Sequence, residues 1–163
     1  MRSAAAGALG RIGEEPEAVI SQLVITLRDK EDEVRLSAYS AIGDFGGKAK
    51  PLVPVFLEGL RDQDALVRRG SAAALGTMRQ AADLVVPALV TCLEDTNRLV
   101  KCAAIEALRS FGTDAKAAVP LLLKLSEDRE TIWEGDFGTS VGFEAVRALK
   151  RIDPESAARV GAK

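Results

Sequence analysis

A 33-residue period constrains this chain more than anything else in its sequence. Val34-Arg35, Val67-Arg68 and Val100-Lys101 open three segments 33 residues apart, and Met1-Arg2 stands one period earlier. Position 8 of each unit is alanine (Ala8, Ala41, Ala74, Ala107), and position 9 is aliphatic (Leu9, Ile42, Leu75, Leu108). Position 12 carries Ile12, Phe45, Met78 or Phe111, followed by Gly13, Gly46, Arg79 or Gly112. Further on come Val53-Pro54, Val86-Pro87 and Val119-Pro120, then the column Asp29, Asp62, Asp95 and Asp128. Self-similarity at such a period marks a repeat array, in which each unit buries its apolar face against its neighbours.

Each unit reads as two helices. In the first, apolar or small residues at positions 1, 5, 8, 9 and 12 make the stripe of an amphipathic helix. Asp64, Asn97 and Ser140 lie where N-caps are expected, and the glycine after the stripe suits a left-handed C-cap. The second helix is expected to start near the Val-Pro pair, where a first-turn proline loses no hydrogen bond. It continues through Leu57 and Leu60, or Val90 and Leu93, and stops near the aspartate. Helices of about a dozen residues are marginal alone, so stacking must supply their stability. The spacing predicts an all-α, right-handed solenoid of about four and a half two-helix repeats. Its units are 1–33, 34–66, 67–99 and 100–140, with a C-terminal cap at 141–163, all in one array.

The fourth interval breaks the period. Val100 to Val141 spans 41 residues, so 8 extra residues follow Asp128, with an insertion placed at about 133–140. That stretch holds the chain's single tryptophan, Trp133, and Phe137. The last unit keeps Ala145, Ala148 and Leu149 in register, then ends short of a full second helix. Met1 stands where valine is expected and no polar helix precedes it. The sequence therefore reads as a fragment of a longer array, or as one whose first face packs on another body.

Composition closes off several chemistries. There is no histidine, which removes Ser-His-Asp triads, Cys-His dyads and histidine metal sites. Cys92 and Cys102 form no C-x-x-C motif and read as buried thiols on apolar faces. Lys+Arg 22 against Asp+Glu 24 gives no general attraction to nucleic acid. Arg61, Arg68, Arg69, Arg79, Arg98 and Lys101 are interleaved with acids and lack aromatic stacking partners. The acids around Trp133 lack the spacing of a calcium loop. Gly43-Asp44-Phe45-Gly46 and Gly135-Asp136-Phe137-Gly138 contain the D-F-G letters, but the other kinase motifs are absent. No cofactor is expected. With no membrane-length apolar run and no signal-peptide pattern, a cytoplasmic location is the default expectation.

The unit V-R-x-x-A-x-x-A-L-x-x-[IFM]-G, then V-P-x-L-x-x-x-L-x-D, resembles the short HEAT-like repeat of the phycobilisome-lyase type. Val67 through Leu75 and Val86 through Asp95 show it best, and the likeness covers the chain apart from 133–140. The resemblance implies the solenoid fold and either of two roles. One is a non-catalytic scaffold that binds another protein, as a segment of a larger adaptor whose further repeats would be its neighbours. The other is a bilin-lyase-like subunit that handles a chromophore. A DNA-binding role of the kind some HEAT-like arrays have is disfavoured by the charge pattern. A hydroxylase-like role fails because that family binds iron through His-Glu pairs.

For a protein-binding array, Glu58, Thr91 and Lys124 on the second helices are the candidate surface residues. Trp133 and Phe137 are a candidate edge anchor, with Trp133 packing back between the last two repeats as the alternative. The columns Arg35, Arg68, Lys101 and Asp29, Asp62, Asp95 read as a structural ladder between repeats, each aspartate paired with the base six positions on. The alanine column is expected where two helices approach closely. Ala74→Leu should therefore destabilise the protein by about 1–3 kcal/mol through overpacking. Thermal unfolding of that variant checks the register.

Overall fold

The computed structural model describes residues 16–27, 29–128, 131–134 and 137–161. Residues 1–15, where the sequence places the first unit's opening helix with Arg2, Ala8 and Gly13, lie outside them. Among the described residues the secondary structure is α-helical apart from 3₁₀ turns and one short hairpin. No described helix is long and apolar enough to cross a membrane.

The chain divides into two compact units, Met1–Gln80 and Ala81–Lys163. In the first, α1 (Pro16–Thr26) is followed by α2 (Asp32–Asp44), a 3₁₀ segment (Gly46–Leu52), α3 (Val53–Gly59) and α4 (Ala65–Met78). Helix α2 packs between α1 and α4, and α3 packs on α4. In the second, α5 (Ala82–Cys92) leads to α6 (Arg98–Phe111), a 3₁₀ segment (Gly112–Ala118) and α7 (Val119–Leu125). Strands β1 (Thr131–Glu134) and β2 (Phe137–Ser140) precede α8 (Val141–Ile152) and α9 (Pro154–Gly161). Helix α8 packs on α6, α7 and α9.

The period reappears in the helix starts. Asp32, Ala65 and Arg98 are 33 residues apart, each two residues ahead of its Val-Arg or Val-Lys pair. The carboxylate of Asp64 accepts from the Leu66 amide, the Asn97 side chain from Leu99 and Val100, and the Ser140 hydroxyl from Phe143. These bonds satisfy amide groups that a helix start leaves unpaired. The repeated alanines Ala41, Ala74, Ala107 and Ala148 are buried, and so are Ile42, Leu75, Leu108 and Leu149 beside them. Cys92 is buried, but Cys102 is only half-buried, because its place on α6 lies beside the apolar stripe rather than within it.

The third repeat departs from the expected corner. After α2 and α6, Gly46 (φ +52°) and Gly112 (φ +59°) turn the chain left-handed. A 3₁₀ turn then leads to a helix whose Val-Pro pair fills the first turn, as the sequence predicts. Arg79 replaces that glycine in the third repeat, and both Arg79 (φ 48°) and Ala81 (φ 50°) are left-handed. Helix α5 therefore starts at Ala82, and Pro87 falls inside it rather than at its start. A non-glycine residue in this region is strained by about 1–2 kcal/mol, because Cβ crowds the carbonyl. Arg79→Gly should relieve that strain and, after the entropy gained by the unfolded chain, raise stability by about 0.5 kcal/mol. A higher urea midpoint at unchanged slope is the expected reading.

The insertion is not a loop. Thr131 pairs with Ser140, Ile132 with Thr139, Trp133 with Gly138 and Glu134 with Phe137 in an antiparallel ribbon. It starts two residues before the expected boundary and ends on Ser140, the N-cap of α8. Of its residues, the side chains of 131–139 lie outside the description.

Candidate functional site

Within the first unit, a groove of about 520 Å³ opens between the second helices of two successive repeats. Val24 and Leu27 come from α1 and its end, Val55 from α3, and Val67 from α4, forming apolar walls. Val55 is 44% exposed. Around these walls, among the described residues, stand Asp29, Glu58, Asp62 and Asp64, with one cation, Arg35. Four carboxylates against one guanidinium leave the groove strongly acidic.

The junctions between repeats position the aspartates. Asp29 Oδ1 accepts from the Glu31 amide at 3.0 Å, and Asp62 Oδ1 from the Asp64 amide at 2.8 Å. Asp95 Oδ1 accepts from the Asn97 amide at 2.8 Å in the second unit. This recurring turn, in which an aspartate bonds the amide two residues on, is why the column recurs at the period. Arg35 and Arg68 of the basic column reach back to the same turns through main-chain oxygens. Arg35 Nη1 donates to the Asp29 carbonyl at 2.7 Å, and Arg68 Nη1 to the Asp62 and Gln63 carbonyls, each at 2.9 Å. Arg35 Nη2 also meets Asp32 at 2.6 Å and Asp64 of the next repeat at 3.6 Å. Arg35 is thus held on its own side of the groove by three partners.

The floor is formed by Tyr39 and Ser71. Tyr39 stands where the next two units have Ala72 and Ile105. Its ring lies against Phe56, centroids 5.9 Å apart, and over Gly70, where an added Cβ would come within 2.3 Å of the ring. Ser71 occupies the position held by Ala38, Ala104 and Ala145 in the other units. It faces Gly59, where an added Cβ would stand 2.2 Å from Ser71 Oγ. Ser71 is 1% exposed, and among the described residues its Oγ makes no hydrogen bond of good geometry, although it lies close enough to the Tyr39 phenol to act on it. Arg35 Nε is also buried and makes no such bond among the described residues. Burial raises the Tyr39 phenol above its ordinary range. The adjacent Ser71 hydroxyl and Arg35 oppose that rise, while Asp62 and Asp64 add to it. The phenol therefore stays protonated at neutral pH and can donate a hydrogen bond.

The residues picked out from the sequence are distributed as follows. Glu58, Asp29, Arg35 and Asp62 meet at this groove. Lys101 and Lys124 meet instead at a smaller groove of about 250 Å³ in the second unit, with Leu93, Glu94, Leu121 and Leu125. Thr91 is exposed on α5, its hydroxyl donating to the Ala88 carbonyl at 2.7 Å. The base beside Asp128 is Arg98, at 2.6 Å. Trp133 and Phe137 lie on β1 and β2. Sequence reasoning passed over Tyr39, Gly59, Gly70 and Ser71. A signal was present for Ser71, since alanine stands at its position in the other units (Ala38, Ala104, Ala145).

Among the described residues no group of acidic or cysteine side chains is arranged to hold a metal ion. A buried hydroxyl without a partner carries its desolvation cost unrelieved. Ser71→Ala should therefore raise the unfolding free energy by about 1 kcal/mol. Urea unfolding monitored by circular dichroism checks this.

Residues 53–133 match the family model for HEAT repeats. Comparison with curated proteins gives no match. Among solved structures, the complex of CpcE and CpcF of phycocyanin lyase from Nostoc sp. PCC7120 aligns with a TM-score of 0.71 and 25% identity. The alignment covers 99% of this chain and 62% of that one, so this chain spans less than two thirds of the lyase chain it matches. A designed armadillo repeat protein aligns with a TM-score of 0.60 and 20% identity, over 98% of this chain and 80% of that one. An engineered protein aligns with a TM-score of 0.60 and 23% identity, covering 98% and 78% of the two chains. The shared architecture is the all-α repeat solenoid.

Proposed function

We propose that this chain, whose residues 53–133 match the family model for HEAT repeats, is a non-catalytic module that binds another protein. The observation that carries this reading is the acidic groove on the first unit, walled by the half-buried Val24, Leu27 and Val67 and the exposed Val55. Such a combination of apolar walls with a charged rim is how partner-binding surfaces are built. Glu58 belongs to that surface. Thr91 and Lys124, at the same repeat position, are candidate binding residues of the second unit, and Trp133 and Phe137 a candidate edge anchor on its hairpin. Arg35, Arg68, Lys101, Asp29, Asp62 and Asp95 act as a structural ladder in this reading, holding repeat junctions in register. A cytoplasmic location goes with it.

A second reading, a chromophore-handling subunit of the bilin-lyase kind, is favoured by the similarity to the phycocyanin lyase complex. Two measurements separate the readings. Purified protein incubated with a bilin should show neither a shifted absorbance nor induced dichroism; an induced band would favour the lyase reading. Used as bait in source-cell lysate, the chain should retain a protein that is lost by Glu58→Lys or by the Trp133→Ala, Phe137→Ala double variant. If no protein is retained by the wild type, or retention is identical in all three, this assignment of the surface is wrong.

A further inference from the structure

At the last junction the chain leaves the repeat at two positions that are otherwise constant in kind. Position 27 is leucine in three units (Leu27, Leu60, Leu93) and Ser126 in the fourth. Position 2 is basic in four units (Arg2, Arg35, Arg68, Lys101) and Gly142 in the last. These two residues flank the insertion, one where the chain leaves the fourth repeat and one where it returns. Both are buried.

The missing side chain at 142 has a steric reason. A Cβ there would stand 2.1 Å from the Asp128 carbonyl oxygen and 3.0 Å from that of Ser126. The bare backbone comes close enough for the Gly142 amide to donate to the Asp128 carbonyl at 3.2 Å. In earlier units the equivalent carbonyls, of Asp29 and Asp62, accept from Arg35 and Arg68. At this junction the main chain takes the place of the guanidinium. The carboxylate of the same aspartate is engaged too, Oδ1 accepting from Arg98 Nη2 at 2.6 Å across 30 residues of sequence. The two side chains are 28% and 24% exposed, so water screens this pair less than it screens a surface ion pair.

The ribbon between these ends needs such support, because a two-stranded hairpin alone is marginal in water. Among the described elements only α8 packs on it appreciably. Its pairing runs down to Thr131 and Ser140, beside the neck, and the Ser140 hydroxyl also accepts from the Phe143 amide of α8.

We infer that Asp128, Gly142 and Arg98 form a latch at the neck of the insertion, which roots the hairpin on the last repeat and holds Trp133 and Phe137 at a fixed place for a partner. Arg98 and Gly142 are positioning residues that act through Asp128. With the neck closed in advance, a partner meets an ordered edge and less conformational entropy is lost on binding. The inference rests on the reading of Trp133 and Phe137 as an edge anchor and supplies what fixes that anchor.

Hydrogen exchange of the full chain, read by mass spectrometry, tests the latch. In the wild type, amides of 131–140 should exchange at least about tenfold more slowly than in an unstructured peptide of the same sequence. Gly142→Ala blocks the close approach, and Arg98→Met removes the ion pair while keeping the aliphatic stem. Each should speed exchange across 131–140 by about tenfold, with α6 and the centre of α8 changed less than about twofold. The emission anisotropy of Trp133, the chain's single tryptophan, should fall in both variants. Arg98→Lys, which keeps a cation, should restore most of the protection. An unprotected hairpin in the wild type, or unchanged exchange in either variant, overturns the proposal. Loosening of α6 and α8 in step with the hairpin also overturns it, because the contacts then serve stacking alone. The two readings fail separately. If both variants free the hairpin but the Trp133→Ala, Phe137→Ala double variant retains a protein partner as firmly as the wild type, the latch stands and the edge-anchor reading falls. If the double variant loses a partner while Arg98→Met leaves the hairpin protected, the latch alone falls.

Discussion

Helices of seven to fourteen residues do not persist alone in water, so each one here depends on an apolar stripe that the next element covers. That dependence accounts for the repeat. Leu75 and Ile42, or Leu108 and Leu149, are fully buried because each belongs to a stripe with the same phase, and the alanine before each keeps the helices close. The remaining regularities serve the same end. An N-cap on the first helix and an aspartate at the end of the second control where each stripe starts and stops, so that burial is not lost to a slipped register.

The same constraint explains where the chain can vary. A position buried at every step has little room for chemistry, whereas a position relieved by a local glycine can carry a larger or more polar group. Tyr39 with Gly70, and Ser71 with Gly59, are such pairs. Each places a polar group under the acidic rim of a single groove, and neither is needed to stack one repeat on the next. The strained corner at Arg79 and Ala81 is a different kind of departure: it alters the path into α5 and puts Pro87 inside a helix, without adding a functional group to the groove.

Much of the fold was legible beforehand because helical periodicity is a local signal. Val34, Ala38, Ala41 and Ile42 declare the buried face of α2 with no knowledge of its neighbours, and Asp64, Asn97 and Ser140 declare helix starts through their own short side chains. The corner of the third repeat was not legible in this way. A proline at the expected place pointed to a helix start, and only the left-handed backbone before it moved that start by four residues. The insertion, too, was recognisable by its length but not by its hairpin, since strand pairing depends on residues facing each other across the turn.

Of the site, Glu58, Asp29, Arg35 and Asp62 could be named from repeat columns, but their meeting could not, because convergence across three helices is a property of packing. The amino-acid sequence by itself determined the helical repeat, its period, its caps and the excluded chemistries, all of which follow from residue type and spacing along the chain. Tertiary structure alone decided that Arg35 and Arg68 bond main-chain oxygens, that Arg98 takes Asp128, and that Ser71 is buried beside Tyr39. Those facts depend on which atoms fall within about 3 Å of one another once the stripes are buried, and hydrogen bonds are selective at that range.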